Sequence, residues 1–331
     1  MDITIATGTF HPEIGGPPRY LHRLARELRA DGHEVRVLAF AEFEGPHPDD
    51  PCPVQRISRK NPVPVRLARM GGAVLRRARR SDLLYVNDHG LAPAFANLAL
   101  RRPVAMKIVG DFAWEYSIRH GLTTLGIDEF QTRRPHRKSR LVHRLQRFYA
   151  GRAGRIIVPS AYLAGLVAGW GVDERRIRVV PNAVEPGGYA VPSSVEEAKH
   201  RLGLDFPYLL TVARLPPWKG IDRLIDVLPH LSSAVRLVVV GEGPERERLE
   251  SHASDRGVAD RTVFAGRVAP AQVGTYLKGA DVFALFTGYE GGLDAARFLI
   301  LPVLIGVVSG IGSGARWYRP VFLEEIGNDY V

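Results

Sequence analysis

Cysteine is almost absent: the 331 residues contain one, Cys52. A disulfide framework within the chain is thereby excluded, and a cysteine-based metal site is not expected. Such usage suits the reducing cytoplasm. Long apolar runs are missing as well. The longest, residues 298–308, is interrupted by Pro302 and Gly306 and falls short of the ~20 residues that cross a bilayer. The opening MDITIATGTF has no basic stretch followed by an apolar one, so it does not read as a signal peptide. No repeat or low-complexity tract occurs. Helix-turn-helix, zinc and RNP signatures are also lacking, so nucleic acid is not an expected partner despite the charge. Finally, residues 53–80 contain no acid, while Arg56, Arg59, Lys60, Arg66, Arg69, Arg76, Arg77, Arg79 and Arg80 all fall there.

What is present is an ordinary globular composition with a basic excess. Hydrophobic residues make up 45%, charged residues 24%, and the net charge is +10. That balance favours an anionic partner such as a phosphorylated substrate or an anionic membrane surface. A second basic cluster spans 133–155, where Leu141, Leu145 and Phe148 share a helix face beside Arg140, Arg144 and Arg147. A basic amphipathic helix of this kind can lie on an anionic bilayer, and a solvated basic face would read the same way.

The chain alternates strand and helix signals. Residues 2–6 form a β-rich run, followed by a Gly/Pro loop and a helix with Leu21, Leu24, Ala25 and Leu28 on one face and arginines on the other. Gly32 ends that helix, and 35–40 is a second strand. Strands at 83–86, 104–109, 156–158 and 177–180 follow, with helices at 91–100 and 161–170. The polar stretch 181–194 reads as a linker. A second series has strands at 208–212, 235–240, 262–264 and 282–286, with helices at 220–231, 244–257 and 270–280. Two such series predict two doubly wound α/β domains, residues 1–185 and 186–331, with ligands at the carboxyl ends of the strands.

Several strand-to-helix turns carry candidate chemistry. Gly15-Gly16 would let an anion approach backbone N–H groups at a helix start, or would simply make the turn. Arg214 and Lys219 flank a turn after the first strand of the second series. They could neutralise a phosphate there, although solvated cations are the ordinary alternative. Glu242-Gly243 opens a third turn, and Phe264, Gly266, Arg267 and Val268 a fourth that could meet a base edge. Glu290, between glycines after a strand, is placed to accept from sugar hydroxyls.

The ordered set TFHPEIGGPPRYLHRLARELRADGHEVRVL, the Val180–Val184 turn, ARLPPWKGIDRLI, VVVGEGPERERLE, VFAGRV and GYEG resembles glycosyltransferase family 4. The resemblance covers residues 1 to about 291. It implies the GT-B architecture: two Rossmann-like domains facing a cleft, acceptor side first and nucleotide-sugar side second. It further implies transfer of a sugar from a UDP-, GDP- or ADP-sugar with retention, without a metal or a separate cofactor. A glycan or lipid-linked acceptor is the expected partner. Localisation would be cytoplasmic, with peripheral contact on the inner face of the membrane. By position, Gly15 and Gly16 would face the donor diphosphate and the acceptor. Arg214 and Lys219 would neutralise the leaving diphosphate. Glu242 and Gly243 would border the donor pocket, and Phe264, Gly266, Arg267 and Val268 would contact the nucleobase. Glu290 would be the first glutamate of an E-x7-E pair. Many members have a histidine near 110 that contacts the donor sugar. Gly110-Asp111 stands there in this chain, so Asp111 is a candidate for that role and equally a helix cap.

The pattern then breaks. The second glutamate should stand at 298, where this chain has Phe298. From Gly292 onward no family motif is recognisable, which leaves the second domain incomplete, with an atypical tail at 292–331. A frameshift, a truncation or a degraded gene would produce so abrupt a change. An inactive remnant that binds nucleotide sugar is therefore the alternative to an active enzyme.

Overall fold

The computed structural model describes residues 1–13, 15–133, 136–182 and 191–285, and the backbone of 299–301. The described residues form two compact units, one ending at Asn182 and the other following it.

The first unit is built on a parallel seven-stranded sheet. Its strands are β1 (Asp2–Thr7), β2 (Glu34–Ala41), β3 (Val54–Ser58), β4 (Leu83–Asn87), β5 (Val104–Lys107), β6 (Arg155–Val158) and β7 (Ile177–Val179), in the order β3-β2-β1-β4-β5-β6-β7. The central strands are apolar almost throughout because both sheet faces are covered. One face packs Ile3, Ile5, Val37 and Tyr85 under α1 (Gly16–Ala30), with Leu21 and Ala25 fully buried. The other packs Leu84, Val86, Met106 and Ile156 under α2 (Val63–Arg77) and α3 (Leu91–Leu100). Chain direction away from the centre reverses between β1 and β4. That is the switch point at which parallel sheets open a crevice at the strands' carboxyl ends.

Three further helices, α4 (Phe112–Arg119), α5 (Ile127–Thr132) and α6 (Arg137–Gly151), lie between β5 and β6, and α7 (Ala161–Gly169) follows β6. The inward face of α6 is polar: Ser139, His143, Gln146 and Ala150 are buried. Its apolar stripe points outward. Leu141 is 56% exposed, and Phe148 packs beside the exposed Phe95 of α3 with ring centroids 4.9 Å apart.

The second unit begins with α8 (Val195–Leu202). Its sheet has β8 (Tyr208–Val212), β9 (Arg236–Val240), β10 (Thr262–Gly266), β11 (Val282–Leu285) and β12 (Leu299–Leu301), in the order β10-β9-β8-β11-β12. It is parallel except for β12, which runs antiparallel to β11. The helices α9 (Ile221–Val227), α10 (Arg246–Asp255) and α11 (Pro270–Gly279) connect the strands. The helix expected over 220–231 stops being α at Val227 and finishes as a 3-10 turn over Leu228–His230. Pro229 within that turn has no N–H to continue the ladder. Leu210, Ile225, Leu237 and Val238 are fully buried, and each stabilises the unit by roughly 1.5–3 kcal/mol.

Candidate active site

In the second unit the loops leaving β8, β9 and β10 are joined to one another. The Ala213 N–H donates to the Val240 carbonyl (2.9 Å), the Leu215 N–H to the Glu242 carbonyl (3.1 Å), and the Gly241 N–H to the Gly266 carbonyl (2.8 Å). The packing is tight enough to require glycine. A Cβ on Gly241, whose φ is +137°, would sit 1.8 Å from the Ala213 carbonyl oxygen, and one on Gly243 would sit 2.6 Å from the Leu215 nitrogen. These glycines thus serve the contact between adjacent strand-end loops.

Around that join stand the residues named from the sequence. Arg214 is exposed and makes no ion pair with any described residue. Lys219 ends a 3-10 turn (Pro217–Lys219) and is only 8% exposed. The structure thus separates two cations that look alike in the sequence: one is exposed and the other is buried. Glu242 pairs with Arg246, a residue the sequence reading does not single out. The Arg246 guanidinium also lies 5.8 Å from the Phe264 ring centre. Arg246 stands four residues after Glu242 on the same turn, and that spacing was its only visible signal. Phe264 and Val268 are partly buried against the core, Gly266 is buried with φ +70°, and Arg267 is exposed. Glu290 and Phe298 lie outside the described residues.

In the first unit the switch point holds a cluster that sequence reading missed. Asp88, at the end of β4, has φ +58°, a left-handed conformation that few residues other than glycine adopt. Burial pushes its carboxyl up to about 6, although the Val109 N–H, Lys107 and Asn87 all favour its charged form. Lys107, at the end of β5, is 4% exposed. Burial pushes its ammonium down to about 8 against the pull of Asp88. Its Nζ donates to Asn182 Oδ1 at 2.7 Å and sits 3.9 Å from the Tyr20 ring centre. The next residue, His89, lies over Gly8, where a Cβ would meet His89 Nδ1 at 2.3 Å. Its ring packs against Phe40 and Phe112, with centroids 5.9 and 6.2 Å away, although the residue as a whole is exposed. Desolvation by its neighbours, with Arg59, Arg66 and Arg119 nearby, lowers its pKa to about 4. A left-handed, desolvation-perturbed Asp-His pair at a switch point is the kind of arrangement active sites collect.

Asp111 is fully buried. It caps α4 by accepting from the Trp114 N–H at 3.0 Å, and it also accepts from Gln131 (2.8 Å) and Gln146 (3.1 Å). Gly15 and Gly16 do stand at the start of α1, but Pro17 and Pro18 occupy its first turn. The prolines remove two N–H donors, leaving those of Gly15 and Gly16 for an anion. Two members of the acid-free segment are consumed internally. Arg56 pairs with Asp50 at 2.6 Å, and Arg59 pairs with Glu13 at 2.8 Å and Glu42 at 3.3 Å. A recess of about 570 Å³ lies between β3 and α2, lined by Gln55, Val65, Arg69 and Arg76 among others. None of the predicted site residues borders it.

Comparison with known proteins bears on this geometry. Residues 15–183 match the family described as "Glycosyl transferase 4-like domain", and residues 193–292 match "Glycosyl transferases group 1". The chain belongs to this glycosyltransferase family. The match ends at residue 292, where the family motifs also stop in the sequence. Among curated relatives, the transferase is 30% identical to a GDP-mannose-dependent α-(1-6)-phosphatidylinositol monomannoside mannosyltransferase of Mycolicibacterium smegmatis, over 94% of this chain and 81% of that one. It is 28% identical to a 2-deoxystreptamine glucosyltransferase of Streptomyces kanamyceticus, over 92% and 84%. Among solved structures it is similar to Anabaena HepE in complex with UDP and glucose (TM-score 0.65, 21% identity, 88% and 76% covered). It is also similar to a sucrose-phosphate synthase from Thermosynechococcus elongatus (TM-score 0.67, 18% identity, 87% and 76% covered). The fold is GT-B, with two Rossmann-like units, and the protein is a transferase.

Proposed function

We propose that this glycosyltransferase moves a sugar from a nucleotide-sugar donor to an acceptor with retention of anomeric configuration. The observation that carries the reading is the joined set of loops at the carboxyl ends of β8, β9 and β10, with Arg214 exposed and Lys219 buried on the segment that follows β8. A departing diphosphate needs its growing charge neutralised, and a buried cation such as Lys219 does this with little reorganisation. Arg214 takes the phosphate oxygens as a fork and Lys219 as a point charge. Glu242 and Gly243 border the donor, and Phe264, Gly266, Arg267 and Val268 border the nucleobase. Glu290 holds the donor sugar. Gly15 and Gly16 supply the two remaining N–H groups at the start of α1. Asp111 works indirectly, by fixing the start of α4.

The acceptor is a lipid-linked or cell-envelope glycan. Support comes from the basic excess, from the mannosyltransferase relative's lipid-linked acceptor, and from the outward Phe95, Leu98 and Leu141 lying in an arginine-rich surface. Among the described residues no helix is long and apolar enough to cross a membrane. Peripheral contact with an anionic bilayer is therefore the proposed mode of association.

The test is thermal stabilisation by a panel of UDP-, GDP- and ADP-sugars, run beside a nucleotide-release assay. One donor class should raise Tm, and Arg214→Ala should cut turnover about 100-fold, the usual cost of removing one charge-stabilising donor. Stabilisation by none of the panel would end the donor proposal. Binding without nucleotide release would support the second reading, an inactive remnant. That reading is motivated by Phe298 at the position of the family's second glutamate.

A further inference from the structure

His11, His47 and Asp49 meet on the first unit, on the loops that follow β1 and β2. One ligand-capable atom of each lies within 4.8 Å of the others. His11 comes from the loop after β1, and the other two come from the loop between β2 and β3. His22 of α1 flanks them. Its ring centre is 4.6 Å from that of His11, which in turn is 5.0 Å from that of His47. Two imidazoles and a carboxylate in mutual reach, those of His11, His47 and Asp49, are a donor set suited to late first-row divalent metals.

Two further observations make this more than a crowd of side chains. The Nδ1 of His11 is buried and has no hydrogen-bond partner among the described residues. Buried polar atoms are nearly always satisfied, so one left open next to other ligands asks for an occupant. The loops that carry the cluster are also fastened together from beneath. Arg56, with its side chain 1% exposed, donates to both Asp50 carboxylate oxygens at 2.6 and 2.7 Å, to the His11 carbonyl at 2.7 Å and to the Gly45 carbonyl at 2.9 Å. In addition, one ring nitrogen of His22 bonds the Asp49 carbonyl at 2.9 Å. The donors are thus held near one another before any metal arrives.

We propose that His11, His47 and Asp49 form a binding site for a late first-row divalent metal, with Zn2+ the ion this donor set fits best. Tetrahedral Zn2+ with bonds of about 2.1 Å sets its donors about 3.4 Å apart. Closure of roughly an ångström is therefore needed, and the exposed Asp49 and half-buried His47 can supply it. Three protein ligands leave the fourth position for water. The metal would tie the loop that leads into Gly15 and Gly16 to the loop between β2 and β3. It has no part in the proposed transfer reaction, and the inference does not rest on that reading.

The experiment uses chelator-stripped full-length protein titrated with Zn2+ by calorimetry and with Co2+ by visible absorption. Wild type should bind one equivalent and develop the absorption bands of imidazole-bound Co2+. His47→Ala and Asp49→Asn should each lose at least about ten-fold in affinity, since even residues behind the ligands cost that much. Both should keep the wild-type Tm in chelator. His230→Ala, an exposed histidine of the second unit, should bind as wild type does. Wild type without stoichiometric binding, or His47→Ala and Asp49→Asn with unchanged affinity, would overturn the proposal.

Discussion

Asp88 shows how a single residue can carry a burden set by its surroundings. Its backbone is left-handed and its carboxyl is raised to about 6 by burial. The folded state therefore binds this proton more tightly than the unfolded chain does. Through this group, stability declines as pH rises from about 4 to about 6, and the full cost is present above that window. Asp88→Asn removes the charge while keeping the size. It should raise stability relative to wild type at pH 7.5, and the advantage should disappear by pH 4. Urea midpoints of both proteins at the two pH values check this, and an equal difference at both would refute it. His89 next door has its pKa lowered for the same reason, desolvation, reinforced by three arginines. None of this was legible in Asn87-Asp88-His89-Gly90 as text. An Asp-His step after a strand is common, and only the surrounding atoms perturb it.

At the scale of elements, the strand-end loops were located from sequence and their mutual packing was not. ARLPPWKG, GEGP and FAGRV each read as a strand-to-helix turn because an apolar run gives way to glycine or proline. That Gly241 presses on Ala213 and Gly243 on Leu215 depends on β8, β9 and β10 being neighbours. Gly241→Ala combines a backbone clash with an unfavourable φ, and should cost about 2–3 kcal/mol. A chemical-denaturation midpoint measures it, and a loss under 0.5 kcal/mol, the range of neutral surface changes, would contradict the packing described. Helix α6 makes a related point. Its stripe of Leu141, Leu145 and Phe148 was visible by periodicity, but periodicity does not say which side faces the sheet. The polar side turns inward because partners wait there. Gln146 accepts from the Ala113 N–H at 2.8 Å and donates to Asp111, and Ser117 donates to Ser139 at 2.9 Å. Polar groups paired in this way can be buried at little cost.

For the whole molecule, the net charge of +10 and the outward apolar residues of α3 and α6 act together. Each basic residue near an anionic surface contributes about 1 kcal/mol, and salt screens the attraction over about 10 Å at 0.1 M. The protein should float with vesicles containing anionic lipid at low salt and be released as salt is raised. Paired substitution of Phe95 and Leu141 by serine should weaken that association. Absence of binding at low salt would remove the membrane from its partners. Arg56 and Arg59 will not contribute, because Asp50, Glu13 and Glu42 already hold them. Among the described residues, the alternation of strand and helix runs through both units, and the family match covers the same span up to residue 292.

The amino-acid sequence alone determined the alternation of β and α, the ordered turns that mark the family, and the excess of positive charge. These are local or additive properties, readable by period, by neighbour or by counting. Tertiary structure alone decided which turns touch, which of Arg214 and Lys219 is buried, how far Asp88 is desolvated, and that His11 meets His47 and Asp49. Each of these depends on atoms brought together from distant parts of the chain, and their distances follow from sheet order and packing, which no local pattern encodes.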